Sequence, residues 1–279
     1  MENICLEKDS LTCDTMKEKI VSHNYFPIAF SLPHKEFRKT ADHFFSFLTL
    51  PLEVKQRFYL LTKEDDRESM VGYMKREQQK GDLDEKEYFH YNRYAKDAFG
   101  ALPGSEDKRV TDFFSAAHSI YEEAEDLMRA IIQEFDVSFP GLYQNFFPED
   151  AHPHFYLRFL KYSSQGRGDL LAGGHYDLGG CTLALAESAP GLRIGRDQET
   201  LQEIEHRDGQ AIFMPGLQFP ELTSDDLPPA WHDVVQKKDD RMGGGEYGDD
   251  TARWAVVFFA DPATLTETRW EDRHRPKSY

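Results

Sequence analysis

The chain has 279 residues, 50 acidic against 33 basic, and a formal charge of -17. That length fits one large domain, and the chain is expected to form one unit over 1–279 with a mostly helical front part (1–150), a strand-rich core (151–262) and a C-terminal tail (263–279). No basic footprint is present, which argues against nucleic acid, and the acidity disfavours anionic membrane surfaces. Cys5, Cys13 and Cys181 are odd in number and far apart, so no disulfide framework is expected. The first ten residues are polar, and no apolar run reaches the length of a membrane span. A cytoplasmic location in a reducing compartment is the expectation, with a small-molecule substrate and no obligate protein partner evident.

In chain order, residues 26–30 form a short apolar run that predicts a strand, and Ser31 and Pro33 look like a helix start. Phe37, Ala41, Phe44, Phe45 and Leu48 then recur at helical spacing. A further short helical piece is expected over 51–58. Residues 62–80 are charged and weakly patterned and read as loop and surface helix; a strand is expected within 84–91. The strongest helix spans about 106–135, with an apolar face that includes Val110, Phe113, Ala117, Ile120, Ala124, Leu127, Ile131 and Phe135. Pro140-Gly141 ends it.

After residue 151 the pattern changes. Residues 155–162 are β-prone, and short strands are expected near 180–186, 191–195, 210–214, 217–223, 231–236 and 252–260, separated by Gly, Pro and Asp. Several short strands in succession predict an antiparallel sandwich or barrel, of which a jelly roll is one form whose interior can house a small ligand. Residues 237–251 are polar and Gly-rich and read as an exposed loop between paired strands.

The most informative motif is His175-Tyr176-Asp177, followed 55 positions after the aspartate by His232. Two imidazoles and one carboxylate form the facial triad that leaves one side of a non-haem Fe(II) open. Residues two apart on a strand share a face, so His175 and Asp177 can both point inward at a strand end. His232 must come from another strand. An isolated His-x-Asp is more often a turn or surface pair than a ligand set, and what raises this one is its context. Gly173-Gly174 precede it, a β-prone apolar stretch follows it, and His232 opens a strand of its own. His152 and His154 flank Pro153 with no carboxylate at a matching offset, while His43, His118 and His206 read as structural or solvated.

Arg253 shares a strand face with Ala255, Val257 and Phe259. If that strand lies beside the one carrying His232, the arginine faces the same interior. A buried arginine needs an anion, and its planar fork suits a carboxylate. The plain alternative is an arginine at a strand start paired with Asp249 or Asp250; Arg241 is the competing candidate.

Taken in order, these segments resemble the isopenicillin N synthase-like branch of the Fe(II)/2-oxoglutarate-dependent oxygenases, over about residues 26–262. The matching segments are 44–55, with its phenylalanines, Leu50-Pro51 and Glu53-Val54-Lys55; Gly174 to Leu183 around the first two ligands; Pro190-Gly191-Leu192-Arg193-Ile194; Leu222-Thr223; 231–235; and 253–259. The resemblance implies a double-stranded β-helix, mainly β with flanking α-helices, supported by a long helix. It implies that His175, Asp177 and His232 bind Fe(II), that Arg253 holds the distal carboxylate of 2-oxoglutarate, and that Tyr162 assists. The implied reaction uses O2 and converts 2-oxoglutarate to succinate and carbon dioxide while a substrate is hydroxylated, desaturated or cyclised.

Ala255 stands where the family has serine, which removes a hydroxyl contact to the co-substrate. The segment between His232 and Arg253 is longer than usual, and the N-terminal stretch lacks the family's usual opening strand sequence. An iron oxidase that needs no 2-oxoglutarate therefore stays open as an alternative, as does a non-catalytic jelly-roll binding protein with a relic site. By the same resemblance the substrate pocket draws on Tyr73, Phe89, Tyr91 and Arg93, with Trp270 from the tail. Core aromatic packing is the competing reading for each ring, and surface charge for the arginine. A small polar metabolite, such as an amino acid or a biosynthetic intermediate, is the expected substrate.

Overall fold

The computed structural model describes residues 5–8, 11–59, 61–63, 66–76, 86–149, 153–162, 170–236 and 253–263. Twelve strands among these residues form two sheets. In chain order, α1 (Cys13–His23) leads into β1 (Phe26–Ala29), then α2 (His34–Leu48), α3 (Leu52–Lys55) and a 3-10 turn Gln56–Phe58. Strands β2 (Leu61–Lys63), β3 (Asp66–Arg76) and β4 (Lys86–Tyr91) follow, then α4 (Ala95–Phe99), the long α5 (Lys108–Asp136) and α6 (Leu142–Phe146). The remainder is β5 (His154–Tyr162), β6 (Leu170–His175), β7 (Cys181–Glu187), β8 (Leu192–Gly195), β9 (Gln202–Glu203), β10 (Gln210–Pro215), α7 (Phe219–Leu222), β11 (Trp231–Val235) and β12 (Trp254–Asp261).

The larger sheet runs β1-β10-β7-β12-β5-β4-β3-β2 and the smaller one β6-β11-β8-β9, with every ladder antiparallel. The front part is therefore less separate than composition implies: β1 pairs with β10 and β4 with β5, so residues before 150 supply four strands of the large sheet. Strand pairing also overrides the loop-and-helix expectation for 62–80, because β3 pairs with β4 from Gly72↔His90 to Arg76↔Lys86. A second difference lies at 217–223, expected as a strand. Pro220 has no N–H to give a ladder, and the amides of Gly216, Leu217 and Gln218 bond instead to the carbonyls of Gly180, Asp177 and Gly179, so a short helix forms. The glycine-rich segment does not join paired strands either: β11 lies in the small sheet and β12 in the large one. Residues 237–252 are outside the described residues.

Period-two alternation divides the large sheet between two clusters. On its outer face Phe159 meets Phe113 of α5 at 5.1 Å and Phe258 meets Tyr121 at 5.5 Å, while Phe44 of α2 closes on Phe113 at 5.4 Å. The whole expected apolar stripe of α5 is buried there. Each such ring contributes about 1.5–3 kcal/mol by burial, which holds the helical layer on the sheet. The inner face carries Leu160, Tyr162, Ala184, Ile212 and Met214, which meet Ala172, Leu192, Ile194 and Val234 of the small sheet. Between the two sheets lies the cavity that holds the candidate site.

Candidate active site

His175 ends β6 and His232 lies in β11, and the two are direct cross-strand partners. Asp177 sits two residues past the end of β6, held by its backbone carbonyl, which accepts from Leu217 N at 2.8 Å. That close approach requires glycine: a Cβ on Gly216 falls 2.3 Å from Gly179 O and 3.1 Å from Asp177 O. Asp177 Oδ1 lies 3.8 Å from Nε2 of both histidines, and donor atoms of all three residues lie within 4.8 Å of one another.

Each of these groups is aimed by a partner. His175 Nδ1 lies 2.7 Å from Gly173 O, and His232 Nδ1 lies 3.2 Å from Ala230 O, so a proton on each Nδ1 leaves each Nε2 lone pair facing Asp177. Thr182 Oγ1 donates to Asp177 Oδ2 at 2.6 Å and leaves Oδ1 toward the histidines. Burial and the neighbouring His232 lower the His175 pKa. Burial pushes Asp177 upward, yet His232, His175 and the Thr182 hydroxyl outweigh it, and the net shift is downward. Neutral imidazole and ionised carboxylate are the protonation states a divalent metal requires, so this donor set fits Fe(II).

Arg253 immediately precedes β12 and is 5% exposed. It lines the same cavity as the triad, with Tyr162 and Ala255 beside it. Nη1 donates to Val235 O at 2.8 Å, and Nη2 donates to the Glu187 carboxylate. Nε is buried without a hydrogen-bond partner among the described residues. The arginine thus reaches the interior by facing the His232 strand across the cavity rather than lying beside it. Its anion is Glu187, where Asp249 or Asp250 was the alternative; those two, like Arg241 and His152, are outside the described residues. Gly191 permits the approach, since a Cβ there falls 2.0 Å from Val235 O and 2.4 Å from Arg253 Nη1.

The same cavity is also lined by Arg158, which the motif reading did not single out. Its guanidinium lies 4.5 Å from the Phe259 ring centroid and 5.4 Å from that of Tyr88. Arg158 Nε donates to His90 Nε2 at 2.7 Å. Burial, reinforced by the Arg158 charge, holds His90 well below its ordinary pKa of 6.5, so the ring is a neutral acceptor. Among the described residues, the two Nη groups of Arg158 make no hydrogen bond or ion pair. Alternation along β5, Tyr156-Leu-Arg158-Phe-Leu160-Lys-Tyr162, is the signal that would have found this arginine on Tyr162's face.

The expected substrate residues lie elsewhere. Phe89 and Tyr91 occupy the outer face of β4, Phe89 against Phe113 at 5.3 Å and Tyr91 against Phe114 at 5.7 Å; the cavity side of that strand carries Tyr88 and His90. Tyr73 is packed on Phe47 and donates to Glu87 at 2.6 Å. Arg93 pairs with Glu125 of α5. A one-residue step in a strand exchanges its faces, and Phe89 and Tyr91 lie on the face of β4 turned to the helical layer. Trp270 is outside the described residues. His206, expected to be structural or solvated, lines the cavity near Glu187.

No protein-family model matches the chain, and no curated protein matches it. Solved structures do. A full-length Neurospora crassa protein, in complex with alpha-KG, superposes with a TM-score of 0.69 at 17% identity over 94% of this chain and 86% of that one. The Arabidopsis thaliana dioxygenase for auxin oxidation 1, as a 2-oxoglutarate complex, gives 0.65 at 16% identity over 94% of each chain. JOX2, in complex with 2OG, Fe and JA, gives 0.69 at 17% over 95% of this chain and 76% of that one. The chain has the fold of the 2-oxoglutarate–Fe(II) oxygenases. The expectation of a double-stranded β-helix is met, and at this identity the likeness extends to the fold and no further.

Proposed function

We propose that the chain is an Fe(II)/2-oxoglutarate-dependent dioxygenase of the isopenicillin N synthase-like group, acting on a small molecule that carries an acidic group. The observation that supports it is the convergence of a His-Asp-His donor set, Arg253 and Tyr162 on one cavity between the two sheets. His175, Asp177 and His232 would hold Fe(II), which supplies the activation of O2 and the oxidising power for decarboxylating the 2-oxo acid and oxidising the substrate. The chain's own residues do the rest. Gly173 and Ala230 carbonyls fix the imidazoles, Thr182 fixes the carboxylate, and Arg253 with Tyr162 orients the distal end of the co-substrate.

Arg158 lines the same cavity and offers two Nη groups that make no hydrogen bond among the described residues, beside aromatic rings, which suits a carboxylate attached to a flat or apolar body. The Neurospora crassa protein solved with alpha-KG and thymine, and JOX2 solved with 2OG, Fe and JA, support the small-molecule class. The experiment is an anaerobic titration of Fe(II)-loaded protein with 2-oxoglutarate, followed by succinate detection against a panel of small acids. A visible charge-transfer band that Arg253→Ala weakens is expected. Bound iron with no band would favour a second reading, an iron oxidase that needs no 2-oxoglutarate, to which Ala255 and the Glu187 contact on Arg253 point.

A further inference from the structure

Two of the three Arg253 guanidinium nitrogens already donate a hydrogen bond. Nη1 donates to Val235 O at 2.8 Å and packs closely on Gly191. A carboxylate that grips a guanidinium bidentately needs two adjacent N–H groups, and the pair facing away from Val235 is Nε with Nη2. Nε is buried and without a partner among the described residues, while Nη2 donates to Glu187. The incoming distal carboxylate and Glu187 therefore meet at the same nitrogen, Nη2, with their negative charges side by side. Both side chains of the internal pair are nearly sealed, at 6% and 9% exposure, so solvent does little to screen two carboxylates crowded on one cation.

We infer that Glu187 is a built-in competitor for the co-substrate: it holds Nη2 of Arg253 until the distal carboxylate of a 2-oxo dicarboxylic acid displaces it. The wall around Glu187 has room for that movement. Glu187 borders the catalytic cavity on one side and, on the other, a second cavity lined by His34, Ser188, His206 and Arg207. That space is lined by His34, His206 and Arg207, with Asp208 beside them and Arg207 itself paired with Glu205. Ala255 adds to the effect, because no hydroxyl stands at that position to help the co-substrate in the exchange. The consequence is an affinity for 2-oxo dicarboxylic acids lowered by the fraction of time the arginine is occupied.

This inference rests on the proposed role of Arg253 in co-substrate binding, and one calorimetric experiment separates the two. Protein loaded with Mn(II), which supports binding without turnover, is titrated with 2-oxoglutarate and with pyruvate, a 2-oxo acid lacking the second carboxylate. In wild type, 2-oxoglutarate binding no tighter than pyruvate, and insensitive to Arg253→Ala, removes the Arg253 role itself. With that role in place, Glu187→Gln, which removes the charge and keeps the shape, is expected to tighten 2-oxoglutarate about tenfold, as for a competent state populated at about one part in ten. Pyruvate affinity is expected to stay the same. Glu187→Asp keeps the charge but retracts it by one methylene; it is the second variant and is expected to shift in the same direction by less. Unchanged or weaker 2-oxoglutarate binding in whichever variant folds overturns the inference.

Discussion

His175 and His232 face each other as a cross-strand pair of β6 and β11, with ring centroids 4.4 Å apart and planes tilted by 50°. Two imidazoles so close would repel if both were protonated, and the Nε2 atoms of both lie 3.8 Å from the Asp177 carboxylate. Asp177→Ala is expected to reduce Fe(II) binding severely and abolish turnover while far-UV circular dichroism of the metal-free protein stays unchanged. Normal metal loading in that variant would remove the site assignment.

Thr182 acts on the metal only through Asp177, by a 2.6 Å hydrogen bond to the oxygen that faces away from the histidines. Thr182→Val preserves shape and removes that bond. Metal affinity is expected to fall about 10–100-fold, the usual range for a residue that orients a ligand. Competition with a chelator of known affinity measures it, and Thr182→Ser is expected to restore binding.

Removing Arg253 takes from the buried Glu187 carboxylate the guanidinium it is paired with. Arg253→Ala is therefore expected to cost about 3–5 kcal/mol of folding stability in addition to weakening 2-oxoglutarate. The double variant with Glu187→Gln is expected to regain much of that stability without regaining the co-substrate. Urea unfolding of the two singles and the double gives the coupling directly. Additive effects would mean that the two side chains do not share their burial.

Arg158→Ala is expected to raise KM for an acidic substrate by roughly tenfold or more, corresponding to about 1.5–3 kcal/mol for a hydrogen bond to a charged group. The affinity for 2-oxoglutarate is expected to stay near wild type, because the proposed partner of its distal carboxylate is Arg253. A variant that weakens 2-oxoglutarate and leaves substrate KM alone would exchange the two arginines' roles.

His90 is buried and accepts a hydrogen bond from Arg158, and both burial and that cation hold its pKa well below 6.5. The unfolded chain therefore takes up the proton first as pH falls. Stability contributed by neutral His90 is complete above about pH 6.5 and is lost progressively below it. His90→Gln, which also offers an acceptor to Arg158, is expected to flatten that decline, measured as the urea midpoint from about pH 7.5 to about pH 5. His206, likewise lowered by burial, sets part of the residual slope.

The metal site was legible because its constraint is local and chemical. Two ligands lie two residues apart, glycines precede them, and a third histidine opens a strand. The apolar stripe of α5 was equally legible, since a 29-residue helix repeats its pattern often enough to stand out. Strand β3 was not, because it lies toward the sheet edge with a charged sequence and only pairing with β4 declares it. The strand expected at 217–223 failed at Pro220, where loop hydrogen bonds won over local β-propensity.

What the sequence by itself determined was the His-Asp-His donor set and the presence of an interior arginine. Those depend on residue type and short spacings, which a chain carries whatever its tertiary arrangement. Only the tertiary structure decided the occupants of the cavity. Phe89 and Tyr91 went to the helical layer while Tyr88 and His90 went to the face that carries Arg158, a difference of one residue in a period of two. It also set Glu187 against Arg253, 66 positions apart, through two strands that neighbour each other in the large sheet. Long-range pairing of this kind is fixed by how strands pack, and no local pattern encodes it.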